Sequence, residues 1–178
     1  MDKIDYQEFF SKEEDFSFLN SNLKQKYAPQ DIYSKFHQYL PIVCHDVMIN
    51  YCNGLLLVLR DNLPAKGLFF PIGGRVLRGF PIIDSLKIKV KQECGLNLID
   101  SKLIGVSRNF YASDPFGHGN GTDTFSIMFY AKGKGKLKLD NLHKGHLIVT
   151  KEMYTKKFKN SLDIWVRFFM DKTIPYLD

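Results

Sequence analysis

The chain has 178 residues, 44% of them hydrophobic and 14% aromatic, enough for one ordinary core and too apolar for a disordered tail. Lys and Arg (25) outnumber Asp and Glu (19) for a net charge of +6, which allows an anionic ligand without demonstrating one. The longest apolar runs, residues 55–59 and 68–72, fall far short of the ~20 residues that span a bilayer, and an acidic start (Asp2, Asp5, Glu8) is wrong for a secretory leader. Cys44, Cys52 and Cys94 lack metal-site spacing and read as reduced, mostly buried thiols. A cytoplasmic location with no membrane partner is therefore expected.

In chain order, residues 1–28 carry apolar residues at near-helical spacing (Tyr6, Phe9, Phe10, then Phe16, Leu19, Leu23), which predicts helical stretches. Pro29 opens a short helix over Gln30–Tyr39 and Pro41 stops it. Residues 42–49 and Gly54–Arg60 are β-like, and Asn53-Gly54 between them is a hairpin signal. Residues 68–72 form an apolar strand running into Gly73-Gly74-Arg75. Ile82, Leu86, Val90 and Cys94 recur every four residues and predict an amphipathic helix over Ile82–Cys94, with Lys87, Lys89 and Lys91 facing outward or sideways and Gly95 ending it.

Strands are expected at residues 102–111 and 122–132, flanking a loop rich in Gly and Asp, and again at 134–139, where Lys alternates with Gly and Leu. That alternation reads as a charged edge strand, and it lacks the aromatics of a single-strand binder, so nucleic acid is not an expected partner. A last helix spans residues 161–171, with Leu162, Trp165, Val166 and Phe169 inward. This order predicts an α+β fold with helices on a mixed sheet.

The chemistry concentrates in residues 67–96, where a strand, a Gly-Gly turn, a loop and a helix can bring backbone carbonyls and helix side chains to one point. Glu93 lies near the buried edge of that helix, a costly place for a carboxylate unless it is paired or bound to a metal.

This segment resembles the Nudix hydrolases, whose motif is G-x5-E-x7-R-E-U-x-E-E-x-G-U. Anchored at Gly74, the chain keeps Val90, Glu93, Gly95 and Leu96, and departs at Phe80, Ile88, Lys89 and Gln92. Flanking segments (residues 64–67 and 70–76, Phe110-Tyr111, Gly121-Thr122-Asp123) are similar to the GDP-mannose mannosyl hydrolases, which carry a depleted motif. The resemblance implies a Nudix-type α/β/α sandwich around a mixed sheet over residues 36–178, preceded by a helical extension at 1–35.

It also implies an Mg²⁺-dependent (or Mn²⁺-dependent) hydrolase that splits GDP-mannose or GDP-glucose at sugar C1, acting as a homodimer. Carried over by position, Glu93 and the Gly73 carbonyl would hold the metal. Asp46, Arg60 and Arg75 would face the diphosphate and leaving nucleotide, and Tyr111 and Asp123 the sugar. His143, or His146 three residues on, would be the general base, a role that suits a group titrating near neutrality. Three further departures bear on this reading: Leu142 replaces a glutamine ligand, Lys144 an acid, and Ile127 or Met128 a tyrosine. The alternatives are a nucleotide-sugar-binding or protein-interaction domain without turnover, and an enzyme cutting a pyrophosphate bond.

Overall fold

The computed structural model describes residues 6–9 and 28–177. Most of the helical stretches expected in residues 1–28 lie outside the described residues. Helix α1 occupies Gln30–Tyr39, bracketed by Pro29 and Pro41 as the sequence predicts. It runs across the boundary expected at 35/36.

A seven-stranded mixed sheet follows. Its strands are β1 (Ile42–Tyr51), β2 (Gly54–Arg60), β3 (Phe69–Phe70), β4 (Ile72–Arg75), β5 (Asn97–Tyr111), β6 (Thr122–Lys134) and β7 (His143–Val149). The main path is β3-β2-β1-β6-β5, with β4 on β1 and β7 on β2. Only β1 and β6 are parallel among these pairs. Helix α2 (Ile82–Cys94) covers one face, and α3 (Lys156–Ser161) and α4 (Ile164–Thr173) follow β7.

Two apolar layers explain the sandwich. On one face Ile82, Leu86, Val90 and Cys94 of α2 pack on Val47, Ile49, Leu56, Val58 and Ile72. On the other, Trp165, Val166, Phe169 and Met170 of α4 pack on Met48, Leu55, Leu57 and Met128. Strand β2 therefore reads as an unbroken apolar run because alternate residues enter opposite layers. Each fully buried side chain of this kind contributes about 1.5–3 kcal/mol.

Several boundaries differ from the sequence expectation, each for a local reason. The apolar run 68–72 breaks at Pro71, which has no N–H to give a ladder, into β3 and β4. The turn between β1 and β2 is made by Cys52 and Asn53, both at positive φ (50° and 60°), so Gly54 is already a strand residue. A Cβ at Gly54 would lie 2.6 Å from Ile148 Cγ2, so this glycine serves close strand packing. Cys52 is exposed at that turn rather than buried.

The edge strand expected at 134–139 is absent. Residues 136–140 instead run past the end of α2, where the Lys138 and Asp140 N–H groups donate to the Cys94 and Glu93 carbonyls, each at 2.9 Å. Helix ends leave such carbonyls without intrahelical partners, and that need outweighs the alternating pattern. His143, expected in a loop, begins β7. The final helix divides into α3 and α4 because Asp163 starts a new one, its carboxylate accepting from the Trp165 N–H at 2.9 Å.

Candidate active site

The ends of β1, β2, β4, β5 and β7 open on a cleft of about 310 Å³. Its floor is fixed by the pairing of β1 with β4, which sets Asp46 directly opposite Gly73. A side chain at Gly73 would collide with the Asp46 carboxylate and the His45 carbonyl. A Cβ at Gly74 would lie 2.9 Å from Lys89 Cε, and the φ of +149° there also favours glycine. The two glycines thus leave the floor open to groups from α2.

Those groups are Lys89 and Glu93, one helical turn apart. Lys89 Nζ lies 2.8 Å from Glu93 Oε1, with the Glu93 side chain 8% exposed and that of Lys89 27%. The buried edge expected for Glu93 is observed. Lys89 differs from its sequence reading: it turns into the cleft rather than to solvent, because Gly74 leaves room and Glu93 offers a partner.

Arg60 and Arg75 face the same space. The Arg60 Nε donates to the Pro64 carbonyl at 2.9 Å, and its guanidinium stands 5.8 Å from the Phe70 ring centre. Burial pulls the Arg60 pKa down, against the nearby charges of Glu93 and Asp46. Arg75 lies 4.3 Å from the centre of the Tyr33 ring, so α1 supplies a wall of the cleft. The Asp46 carboxyl is pushed up to about 7, chiefly by burial, with the Ser126 hydroxyl and Arg60 acting in the opposite direction.

Across the cleft stands His143, its side chain 5% exposed and its Nδ1 2.7 Å from Asp140 Oδ1. This contact fixes the ring and leaves Nε2 as the atom without a side-chain partner among the described residues. His146 is exposed on β7, paired in register with Val58, and does not line the cleft. Tyr111 does line it, its phenol pKa raised mainly by burial.

Asp123 is not brought to the site. Arg108 holds it in a two-pronged ion pair, Nε and Nη2 at 3.1 and 2.8 Å, outside the cleft lining. Lys144 likewise points away, 2.8 Å from Asp61. Leu142 presents an apolar side chain to the cleft, 40% exposed.

Sequence reasoning missed Asp140 as the partner of His143, and Tyr33 and Trp165 as cleft residues. The three-residue spacing from Asp140 to His143 was the one available signal for the first. The other two depend on how α1 and α4 dock, which no spacing reports.

These donors do not fit a resident divalent cation. Glu93 is already engaged by an ammonium, and Lys89, Arg60 and Arg75 face the same space. Mg²⁺ wants several hard oxygens in near-octahedral array, whereas here the cations outnumber the carboxylates before any metal arrives.

No protein-family model matches the chain. Two curated relatives do. One, 30% identical over 83 residues (47% of this chain, 53% of the relative), is the low-salt glycan biosynthesis protein Agl8 of Haloferax volcanii. The other, 36% identical over 99 residues (53% of each), is the ADP-ribose pyrophosphatase of Methanocaldococcus jannaschii. The chain thus spans about half the length of the curated relatives it matches.

Among solved structures, a MutT Nudix hydrolase from Burkholderia pseudomallei aligns with TM-score 0.61 at 18% identity, over 74% of this chain and 97% of that one. The Nudix domain of Shewanella oneidensis NrtR, complexed with ADP ribose, aligns with TM-score 0.57 at 11% identity, over 85% of this chain and all of that one. A bifunctional NMN adenylyltransferase/ADP ribose pyrophosphatase from Francisella tularensis, complexed with AMP and a Mn ion, aligns with TM-score 0.58 at 13% identity, over 84% of this chain and 45% of that one. Among the described residues no helix is long and apolar enough to cross a membrane. With its mixed sheet between helices and the paired glycines of β4 ahead of α2, the chain has the fold of the Nudix hydrolases.

Proposed function

We propose that the cleft binds a nucleoside diphosphate joined to a sugar and hydrolyses it at sugar C1. The observation that carries this reading is the His143–Asp140 pair facing three cationic side chains across one cleft. Arg60, Arg75 and Lys89 bind the diphosphate and stabilise the charge that builds on it as it leaves. His143 Nε2 takes a proton from water while Asp140 steadies the ring through Nδ1. Water oxygen forms the new bond to C1, the bond from C1 to the diphosphate oxygen breaks, and the nucleoside diphosphate departs with the electron pair. Tyr111 and Trp165 offer aromatic surface for the sugar.

The nucleoside-diphosphate part of the substrate is supported by the ADP-ribose in the names of the relative and neighbours, whose ribose is joined through C5 and so does not bear on attack at C1. GDP-mannose or GDP-glucose follows from the resemblance of the flanking segments. A cytoplasmic homodimer is part of the same proposal. Val43 and Phe125, paired in register on adjacent strands, are 49% and 40% exposed and give the sheet an apolar face to cover. Light scattering reads the oligomer directly.

A second reading, cleavage of the pyrophosphate bond, is favoured by the name of the Methanocaldococcus relative. Proton and phosphorus NMR of GDP-mannose and ADP-ribose incubated in ¹⁸O water, with Mg²⁺ and with EDTA, separate the two. Free sugar with unlabelled nucleoside diphosphate from GDP-mannose supports attack at C1, and sugar phosphate with nucleoside monophosphate, from either compound, supports the second reading. His143→Ala is expected to lower kcat by about 10²–10⁴ with KM little changed. Binding without turnover by the unaltered protein would make the domain a nucleotide-sugar binder.

A further inference from the structure

We propose that the Lys89 ammonium is the built-in cation of this cleft, so that a nucleoside diphosphate is held by Lys89, Arg60 and Arg75 without a divalent metal. This rests on the reading that the cleft takes a nucleoside diphosphate and deepens it.

The geometry has four parts. Lys89 Nζ sits 2.8 Å from Glu93 Oε1 in a pair whose carboxylate side chain is only 8% exposed. Gly74 leaves the space beside that ammonium free of a side chain of its own, since a Cβ there would lie 3.4 Å from Nζ. An ammonium has three donors, and Glu93 engages one through Oε1, leaving donors to meet phosphate oxygens. Arg60 and Arg75 line the same cleft, so three cations face the carboxylates of Glu93 and Asp46.

Charge then decides between a metal and the lysine. Lys89, Arg60 and Arg75 outnumber Glu93 and Asp46 even with both carboxylates ionised. The cleft is therefore already positive, which suits a multiply charged diphosphate and opposes a free divalent cation. A metal on Glu93 would either share the carboxylate with the Lys89 ammonium, a like charge 2.8 Å from Oε1, or break the enclosed pair, and both are unfavourable. At this position the resembling motif carries a glutamate, so the substitution reverses the sign of the charge at the point where a metal would sit.

The test is isothermal titration of GDP and of ADP into the purified chain, in EDTA and in excess Mg²⁺, with Mn²⁺ binding followed separately by electron paramagnetic resonance. The unaltered protein is expected to bind one of the nucleotides in EDTA within about threefold of its affinity in Mg²⁺, and to bind little Mn²⁺ alone. Lys89→Ala should weaken binding in EDTA by roughly tenfold or more. Lys89→Glu, checked for native circular dichroism, should bind Mn²⁺ and require a divalent ion for nucleotide.

Nucleotide binding by the unaltered chain only in Mg²⁺ would overturn the role of Lys89 while leaving the cleft a nucleotide site. So would full affinity of Lys89→Ala in EDTA. Absence of binding by either nucleotide in both buffers would remove the nucleotide reading itself, and this inference with it.

Discussion

Two enclosed carboxylates in this molecule titrate in opposite directions. Asp114, in the loop between β5 and β6, accepts from the N–H groups of Phe116, His118 and Gly119 at 2.8, 3.1 and 2.9 Å. Burial alone would raise its pKa, yet these backbone donors bring it down to about 2. Asp46, facing Gly73 on the cleft floor, is pushed up to about 7 because burial outweighs Ser126 and Arg60. The difference is the number of fixed donors aimed at the charge. The first carboxylate ties a loop together, while the second is left short of donors on the floor of the cleft.

The comparison breaks most visibly at Asp114. Asp114→Ala removes an acceptor shared by three N–H groups, and should lower Tm at neutral pH by roughly 5–10 °C. Because the folded-state pKa is depressed, its stabilisation is present above pH 4 and is lost as pH falls toward 2. The gap between variant and parent Tm should therefore close over that range; a gap that stays constant with pH would mean the loop is held by something else.

Asp46 gives the opposite sign. Its folded-state pKa is raised, so between pH 4 and 7 the folded chain holds more protons than the unfolded one, and stability falls as pH rises through that window. Asp46→Asn should raise Tm by roughly 3–6 °C at pH 8 and leave it unchanged at pH 4. A loss of stability at pH 8 would show that Asp46 is satisfied as an anion.

Two smaller effects sharpen the contrast. The Glu8 carboxylate accepts from the Ile82 N–H at 2.8 Å, at the start of α2 where Pro81 offers no side-chain cap. Glu8→Ala should lower Tm by about 2–4 °C, readable by calorimetry, in keeping with a lost helix cap. Asp123, paired with Arg108 at the surface, should matter least. Asp123→Ala is expected to shift Tm by no more than about 2 °C and to leave nucleotide affinity unchanged. A tenfold loss of affinity there would return Asp123 to the site.

Much of the scaffold was legible because its signals are local. Pro29 and Pro41 bracket α1, the four-residue recurrence through Cys94 defines α2, and Gly95, at φ 73°, ends it. Gly73-Gly74 pointed to the cleft because a missing side chain is visible in one dimension, although the turn expected there is part of strand β4, paired with β1. The strand expected at 134–139 failed because a local alternation was overruled by the open carbonyls of α2. Asp123 is held outside the cleft lining because its partner, Arg108, lies on the neighbouring strand, fifteen residues away in the chain.

By itself, the sequence determined the elements, the two apolar faces that close them into a sandwich, and the segment where chemistry gathers. Periodicity and backbone restriction act over a few residues, so they survive in a linear reading. Only the tertiary structure decided that Lys89 turns inward onto Glu93, that His143 rather than His146 meets the cleft with Asp140 behind it, and that Tyr33 covers Arg75. Those outcomes depend on which charges are left without water and which partners lie within about 3 Å, and both are set by packing between elements distant in the chain.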